Sequence, residues 1–138
     1  MGSEVRFRKA VLDEIHARAA GSRDEVCGLL LGTGGQAVEA VHCSNVAAHP
    51  ATRFEIDPAQ LIATFRRARG GGPQVLGCYH SHPSGASEPS PRDAADAASN
   101  GWLWLIVSNG ATGLWRAVAD GELHGRFDPV AFAFESVG

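Results

Sequence analysis

Apolar residues in this chain occur in short runs separated by glycine, proline and small polar residues, and the spacing within each run predicts its element. Residues 4–8 alternate as a short edge strand does, whereas Val11, Leu12, Ile15 and Ala19 recur at helical spacing and stop before Gly21-Ser22. Residues 26–31 form an unbroken apolar run, too short for a helix and bounded by glycine, which predicts a buried strand. Gly32-Thr33-Gly34-Gly35 then turns the chain into a second strand over residues 37–42. Phe54 and Ile56 mark another short strand. Asp57, Pro58 and Gln60 supply an N-cap, an N1 proline and a capping-box glutamine for a helix reaching about Arg69, where three glycines and Pro73 end it.

The second half repeats the mixture. Residues 75–80 predict a strand, 83–89 a proline-bounded loop, and Ser90-Pro91 the start of a helix running to about Ser99. Residues 102–107 are almost wholly apolar, as in a strand covered on both faces. Residues 113–119 and 122–127 predict a hairpin turning at Asp120-Gly121, and residues 130–137 fit either a short strand or a packed helical turn. Helices interspersed among strands indicate an α/β domain around a mixed sheet. The length of 138 residues is that of one domain, expected to span 1–138.

Composition narrows the function classes. The chain is 44% hydrophobic and 20% charged with a net charge of −3, so no basic surface announces nucleic acid or an anionic membrane. No apolar run approaches the roughly 20 residues of a bilayer span, and Met1-Gly2-Ser3-Glu4 opens no apolar signal core. Cys27, Cys43 and Cys78 have no CxxC spacing, which suits small core residues in a reducing, cytoplasmic setting. Trp102, Trp104 and Trp115 lie in apolar strands and read as core, while Arg66, Arg67 and Arg69 read as a solvated helix face. The glycines at 32–35 lack the Gly-Lys-Ser/Thr of a phosphate loop.

Residues 80–93, His-Ser-His-Pro-Ser-Gly-Ala-Ser-Glu-Pro-Ser-Pro-Arg-Asp, carry the chemistry. On a strand His80 and His82 point to one face, and Asp93 on the first turn of the following helix can bring a carboxylate to them. Two imidazoles and a carboxylate make a catalytic zinc set with the fourth tetrahedral position left for water. Ser90 and Asp93 also suit an N-cap and N3. Capping leaves two histidines at period two, broken off by a proline, without an explanation. A hydrolase needs a proton acceptor near the metal; Glu25, Glu88 and Asp96 are available, and Glu25, at the mouth of a buried strand, is the best placed. His16, His42, His49 and His124 lack paired spacing and receive no metal.

Glu25-Val26-Cys27-Gly28-Leu29-Leu30, followed by His80-x-His82, seven residues, Ser90, two residues and Asp93, resembles the JAMM (MPN+) metalloprotease signature at every motif position. Arg53-Phe54-Glu55-Ile56-Asp57-Pro58 and Tyr79-His80-Ser81-His82-Pro83 resemble the prokaryotic JAB-like branch, and the likeness runs from about residue 5 to 127. It implies a single-domain, cytidine-deaminase-like JAB/MPN fold: a mixed curved β-sheet flanked by helices. It further implies one Zn²⁺ per chain on His80, His82 and Asp93, Glu25 as general base and then acid, and Ser90 donating a hydrogen bond to the oxyanion. The implied partner is a ubiquitin-like protein, a ThiS/MoaD-type sulfur carrier or a modifier, cut after its C-terminal glycine without a cysteine nucleophile. A metal-free MPN scaffold would lack part of this set. A RadC-like, DNA-associated reading shares the His-x-His-Pro-Ser-Gly text but is opposed by the Glu25 segment and the acidic charge. On the JAMM reading, Gly28 and Gly77 either leave room for a threading Gly-Gly tail or serve the sheet's twist, and Gly85 either loosens the 83–89 loop or makes a plain turn.

Overall fold

β1 (Val5–Arg8) leads into α1 (Lys9–Ala19), and an antiparallel pair follows, β2 (Cys27–Thr33) and β3 (Gln36–Cys43). After a long loop come α2 (Pro58–Arg69), β4 (Gln74–Ser81), the short α3 (Pro91–Asp96), β5 (Leu103–Ser108), β6 (Ala111–Gly121), β7 (Gly125–Pro129) and β8 (Phe132–Glu135). These elements belong to a computed structural model that describes residues 4–135; Met1-Gly2-Ser3 and the last residues of the ambiguous 130–137 tail lie outside that range. The eight strands make one sheet in the order β7-β6-β5-β4-β2-β3-β1-β8. Pairing is parallel at β4–β5, β1–β3 and β1–β8 and antiparallel elsewhere.

Both faces of the central strands are covered, which explains their unbroken apolar text: every residue of β5 and the first six of β2 are buried. Alternation sorts the side chains. Leu30, Tyr79, Leu103, Leu105 and Val107 face α1 with Val11, Leu12 and Ile15, whereas Leu29, Leu31, Cys78 and Trp104 face the other way with Phe127 and Ala97. His80 has the parity of Cys78 and so comes out on this second face, at the C-terminal end of β4. Trp104 is core, and Trp102 and Trp115 pack partly buried against it, as expected.

Several local expectations give way to specific contacts. The strand at Phe54 and Ile56 reduces to one bridge, Asn45–Ile56, because the chain there wraps around the Asn45 side chain instead of a ladder. Asp57 caps α2 through Ala59 N–H, but Gln60 closes no box: its Oε1 accepts Ser44 N–H at 2.7 Å. α3 ends at Asp96 rather than Ser99, since Ala97 turns extended and joins the second core. The hairpin turns at His124-Gly125, both at positive φ (54° and 67°), with Arg126 N–H on Leu123 carbonyl. Asp120-Gly121 instead occupies a register shift in β6. The tail resolves into β8, parallel to β1.

Gly28 and Gly77 serve the sheet, not a threading peptide. A Cβ on Gly77 would collide with the Leu103 carbonyl and lie 2.6 Å from Leu103 N; one on Gly28 would run into Val41 carbonyl and the Tyr79 ring. Gly77→Val is therefore expected to destabilise the fold by about 3 kcal/mol or more, the upper range of overpacking. Denaturant unfolding measures this, and a near-wild-type midpoint would contradict the close β4–β5 approach.

Candidate metal centre

β4 delivers His80, and the chain stays extended one step further, with His82 N–H on Val107 carbonyl at 3.0 Å, so both imidazoles reach the same face. His80 is fully buried, stacked on Phe54 (centroids 4.3 Å apart) and met edge-on by Trp104. His82 Nδ1 lies 2.8 Å from Ala86 carbonyl, which requires the proton on Nδ1 and leaves the Nε2 lone pair pointing into the site. Pro91 starts α3, and Ser90 and Asp93 close a reciprocal box: Ser90 Oγ accepts Asp93 N–H at 3.0 Å, and Asp93 Oδ2 accepts Ser90 N–H at 2.9 Å. The carboxylate oxygen fixed by the box is the one facing the histidines.

His80 Nε2, His82 Nε2 and Asp93 Oδ2 form a triangle with sides of 3.1, 3.2 and 3.2 Å. Ligands held at 2.0–2.1 Å in a tetrahedron lie about 3.3–3.4 Å apart. Lone pairs converging this closely repel unless a cation or extra protons join them, so the donor set fits a zinc ion. Glu25 completes the surround: it is 5% exposed, its Oε1 has no hydrogen-bond partner among the described residues, and a carboxylate oxygen lies within 4.8 Å of ring nitrogens of both histidines. It stands back from the tighter triangle. Of the other two acids, Asp96 pairs with Arg53 at 3.4 Å and Glu88 is exposed.

Burial pushes the Glu25 pKa up to about 7, with His82 pulling it down and Asp93 adding to the rise. Asp93 is also penalised by burial, yet the His80 and His82 imidazoles beside it and the Ser90 N–H hold it well below the usual carboxylate range. Burial lowers the His80 pKa; for His82, burial is outweighed by Asp93 and the Ala86 carbonyl, and the net direction is up. Burial drives the Cys27 thiol up to about 12 and lifts Cys78 well above the usual thiol range, so both are inert core groups.

The 83–89 loop is tied down along its length. Ser108 Oγ donates to Gly85 carbonyl (2.7 Å), His82 Nδ1 faces Ala86, Trp115 Nε1 donates to Ser87 (3.3 Å), and His124 Nε2 lies 3.1 Å from Pro89. Gly85, at φ 115°, makes a turn within this anchored segment. Beside His82 a cleft of about 700 Å³ opens between the end of α1 and the ends of β4 and β5, with Arg23, Ser84 and Asn109 on its walls. A second, of about 410 Å³, lies behind Phe54 and Trp104 and is crossed by the Arg53–Asp96 pair.

Two supporting residues carried no signal that single-sequence reading recognised. Ser81, between the histidines, accepts Val26 N–H on Oγ (2.9 Å) and donates its own N–H to Val26 carbonyl (3.0 Å), locking the Glu25 segment to the histidine strand. Asn45 holds the same segment from the other side. A serine between two histidines and an asparagine after a strand look like ordinary polar residues until the pairing of β2 with β4 is known.

Residues 8–119 match the family model described as prokaryotic homologs of the JAB domain. A desampylase of Haloferax volcanii is 36% identical over 104 residues, covering 73% of this chain and 75% of the relative. A probable TtuB-protein conjugate cleaving protease of Thermus thermophilus is 40% identical over 53 residues, 38% of this chain and 36% of that one. Among solved structures, a protein of Desulfitobacterium hafniense superposes with a TM-score of 0.80 at 22% identity, covering 96% of this chain and 94% of that one. A JAB1/MPN domain protein from Archaeoglobus fulgidus gives 0.54 at 16% identity, covering 96% and 100%. The curled mixed sheet is thus a JAB/MPN fold.

Proposed function

The chain belongs to the family of prokaryotic homologs of the JAB domain, and we propose that it is a zinc-dependent isopeptidase that frees ubiquitin-like proteins from their conjugates by cutting after the C-terminal glycine. The observation that carries this reading is the 3.1–3.2 Å triangle of His80, His82 and Asp93 with the buried, unpartnered carboxylate of Glu25 beside it. The desampylase and the TtuB-conjugate protease supply the substrate class by similarity. Three buried free thiols suit a cytoplasmic enzyme.

In this reading His80, His82 and Asp93 hold one zinc ion, which when bound supplies Lewis acidity and a more acidic water. Glu25 takes the proton of the attacking water on its carboxylate and returns it to the departing lysine amine, a transfer suited to a group whose pKa lies near 7. Ser90 contributes its hydroxyl. Its oxygen already accepts Asp93 N–H, so its own proton is free to donate to the carbonyl oxygen as negative charge develops there. His82, fixed by Ala86, and His80, clamped by Phe54 and Trp104, need no reorganisation during the reaction.

The test is direct. Incubated with a ubiquitin-like protein joined through its terminal glycine to a lysine, and with the same protein as a linear C-terminal extension, the enzyme is expected to release the free glycine carboxylate. Mass spectrometry reads the cut, and a cut elsewhere, or none in either substrate, would refute the assignment.

A further inference from the structure

We infer that Asn45 is a positioning residue for the general base, setting where the Glu25 carboxylate stands relative to the two histidines. This rests on the proposed function for its catalytic consequence, but the geometry stands independently. Glu25 precedes β2, in a stretch without regular structure that carries no ladder of its own. Its two peptide groups are held by the 44–57 loop instead: Glu25 N–H donates to Pro50 carbonyl at 2.7 Å, and Asn45 Nδ2 donates to Glu25 carbonyl at 2.8 Å.

The Asn45 amide holds that loop in shape as well. Nδ2 also donates to Arg53 carbonyl at 3.0 Å and lies 3.5 Å from Pro50 carbonyl, and Oδ1 accepts Ala47 N–H and Glu55 N–H at 3.0 and 3.1 Å. One side chain therefore satisfies backbone groups of Glu25, Ala47, Arg53 and Glu55 together. Phe54, which stacks on His80, sits between two of them, Arg53 and Glu55. Asn45 thus couples the acid on one side of the ion site to the ring that clamps a ligand on the other. No other side-chain type of this size offers both donors and an acceptor in this arrangement. Aspartate keeps the acceptor but sets a negative charge against two carbonyls.

The experiment compares wild type, Asn45→Asp and Asn45→Ser with Val46→Ala, a change at an exposed neighbour in the same loop. Amide exchange at Glu25 and Val26, bound zinc, kcat, KM and Tm are read for each. The expected result for both Asn45 variants is about tenfold or faster exchange at Glu25 with β4 and β5 unchanged. Zinc content and KM should stay near wild type, and kcat should fall about tenfold or more, as misplacement of a reacting group does. Val46→Ala should behave as wild type. Unchanged exchange at Glu25, a wild-type kcat, or a loss accounted for by the unfolded fraction in both variants would overturn the proposal. Should the wild type cleave no conjugate, the proposed function falls, and exchange at Glu25 alone decides the role of Asn45.

Discussion

On the proposed reading, a chelator is expected to abolish cleavage, and Asp93→Asn is expected to do the same without chelator, by a factor of about 10³ or more. Asp93 Oδ2 lies 3.2 Å from each imidazole and accepts Ser90 N–H as well, so the helix start holds it in place. Asparagine at N3 can preserve the helix cap but brings no negative charge to a divalent ion held otherwise by two neutral nitrogens. Asp93→Ala keeps the Ser90 cap on the residue-93 N–H but loses the bond from Ser90 N–H to the carboxylate, and should cost about 1 kcal/mol in the metal-free protein. An ion present at about 1,000 times its Kd stabilises the folded state by roughly 4 kcal/mol, so chelation should also lower Tm in the wild type. Asp93→Asn should show a metal-free Tm that chelator does not move. Elemental analysis, calorimetry with and without chelator, and cleavage assays check each step. Full zinc occupancy with full activity in Asp93→Asn would remove the aspartate from the ligand set and with it the proposed site.

What was legible in the sequence was whatever is local. His80 and His82 at period two, and Ser90-Pro91-x-Asp93 at the start of a helix, encode their geometry within fourteen residues, and the structure joins them where β4 ends. The central strands were legible because burial on both faces leaves an apolar run with no alternation, as in β2 and β5. The remainder depends on pairing between distant segments. Ser81 acts only because β2 lies antiparallel beside β4, and Asn45 only because residues 44–57 fold back over the mouth of β2. Asp120-Gly121 has the composition of a tight turn, yet the turn forms at His124-Gly125, where His124 also reaches Pro89 of the 83–89 loop. Gly28 and Gly77 show the same limit: sequence marked them as places of close approach, but only the register reveals that the approaching groups are Val41, Tyr79 and Leu103.

Glu25→Gln is expected to reduce kcat by about 10²–10⁴ while making the metal-free protein more stable at pH 8. The two effects have one cause. The carboxylate is buried, Oε1 has no partner, and desolvation lifts its pKa from 4.5 to about 7 against the attraction of His82. A folded-state pKa above the unfolded one means the native state holds the proton more tightly, so its contribution to stability is full below about pH 4.5 and is lost as pH rises through 7. Glutamine carries no charge to desolvate, so the variant should keep its stability across that window while the wild type declines, with the two converging near pH 4. Calorimetry of the metal-free proteins at pH 4 and pH 8 measures the difference, and zinc content and KM of the variant should remain near wild type. A variant that cleaves at the wild-type rate would remove Glu25 as base. One that loses activity but shows the wild-type decline in stability would mean that burial does not raise the Glu25 pKa on folding and that the decline belongs to another group. The burial that places a pKa near 7 beside the ion site is thus the same burial that destabilises the fold at neutral pH, and no substitution at position 25 should improve one without losing the other.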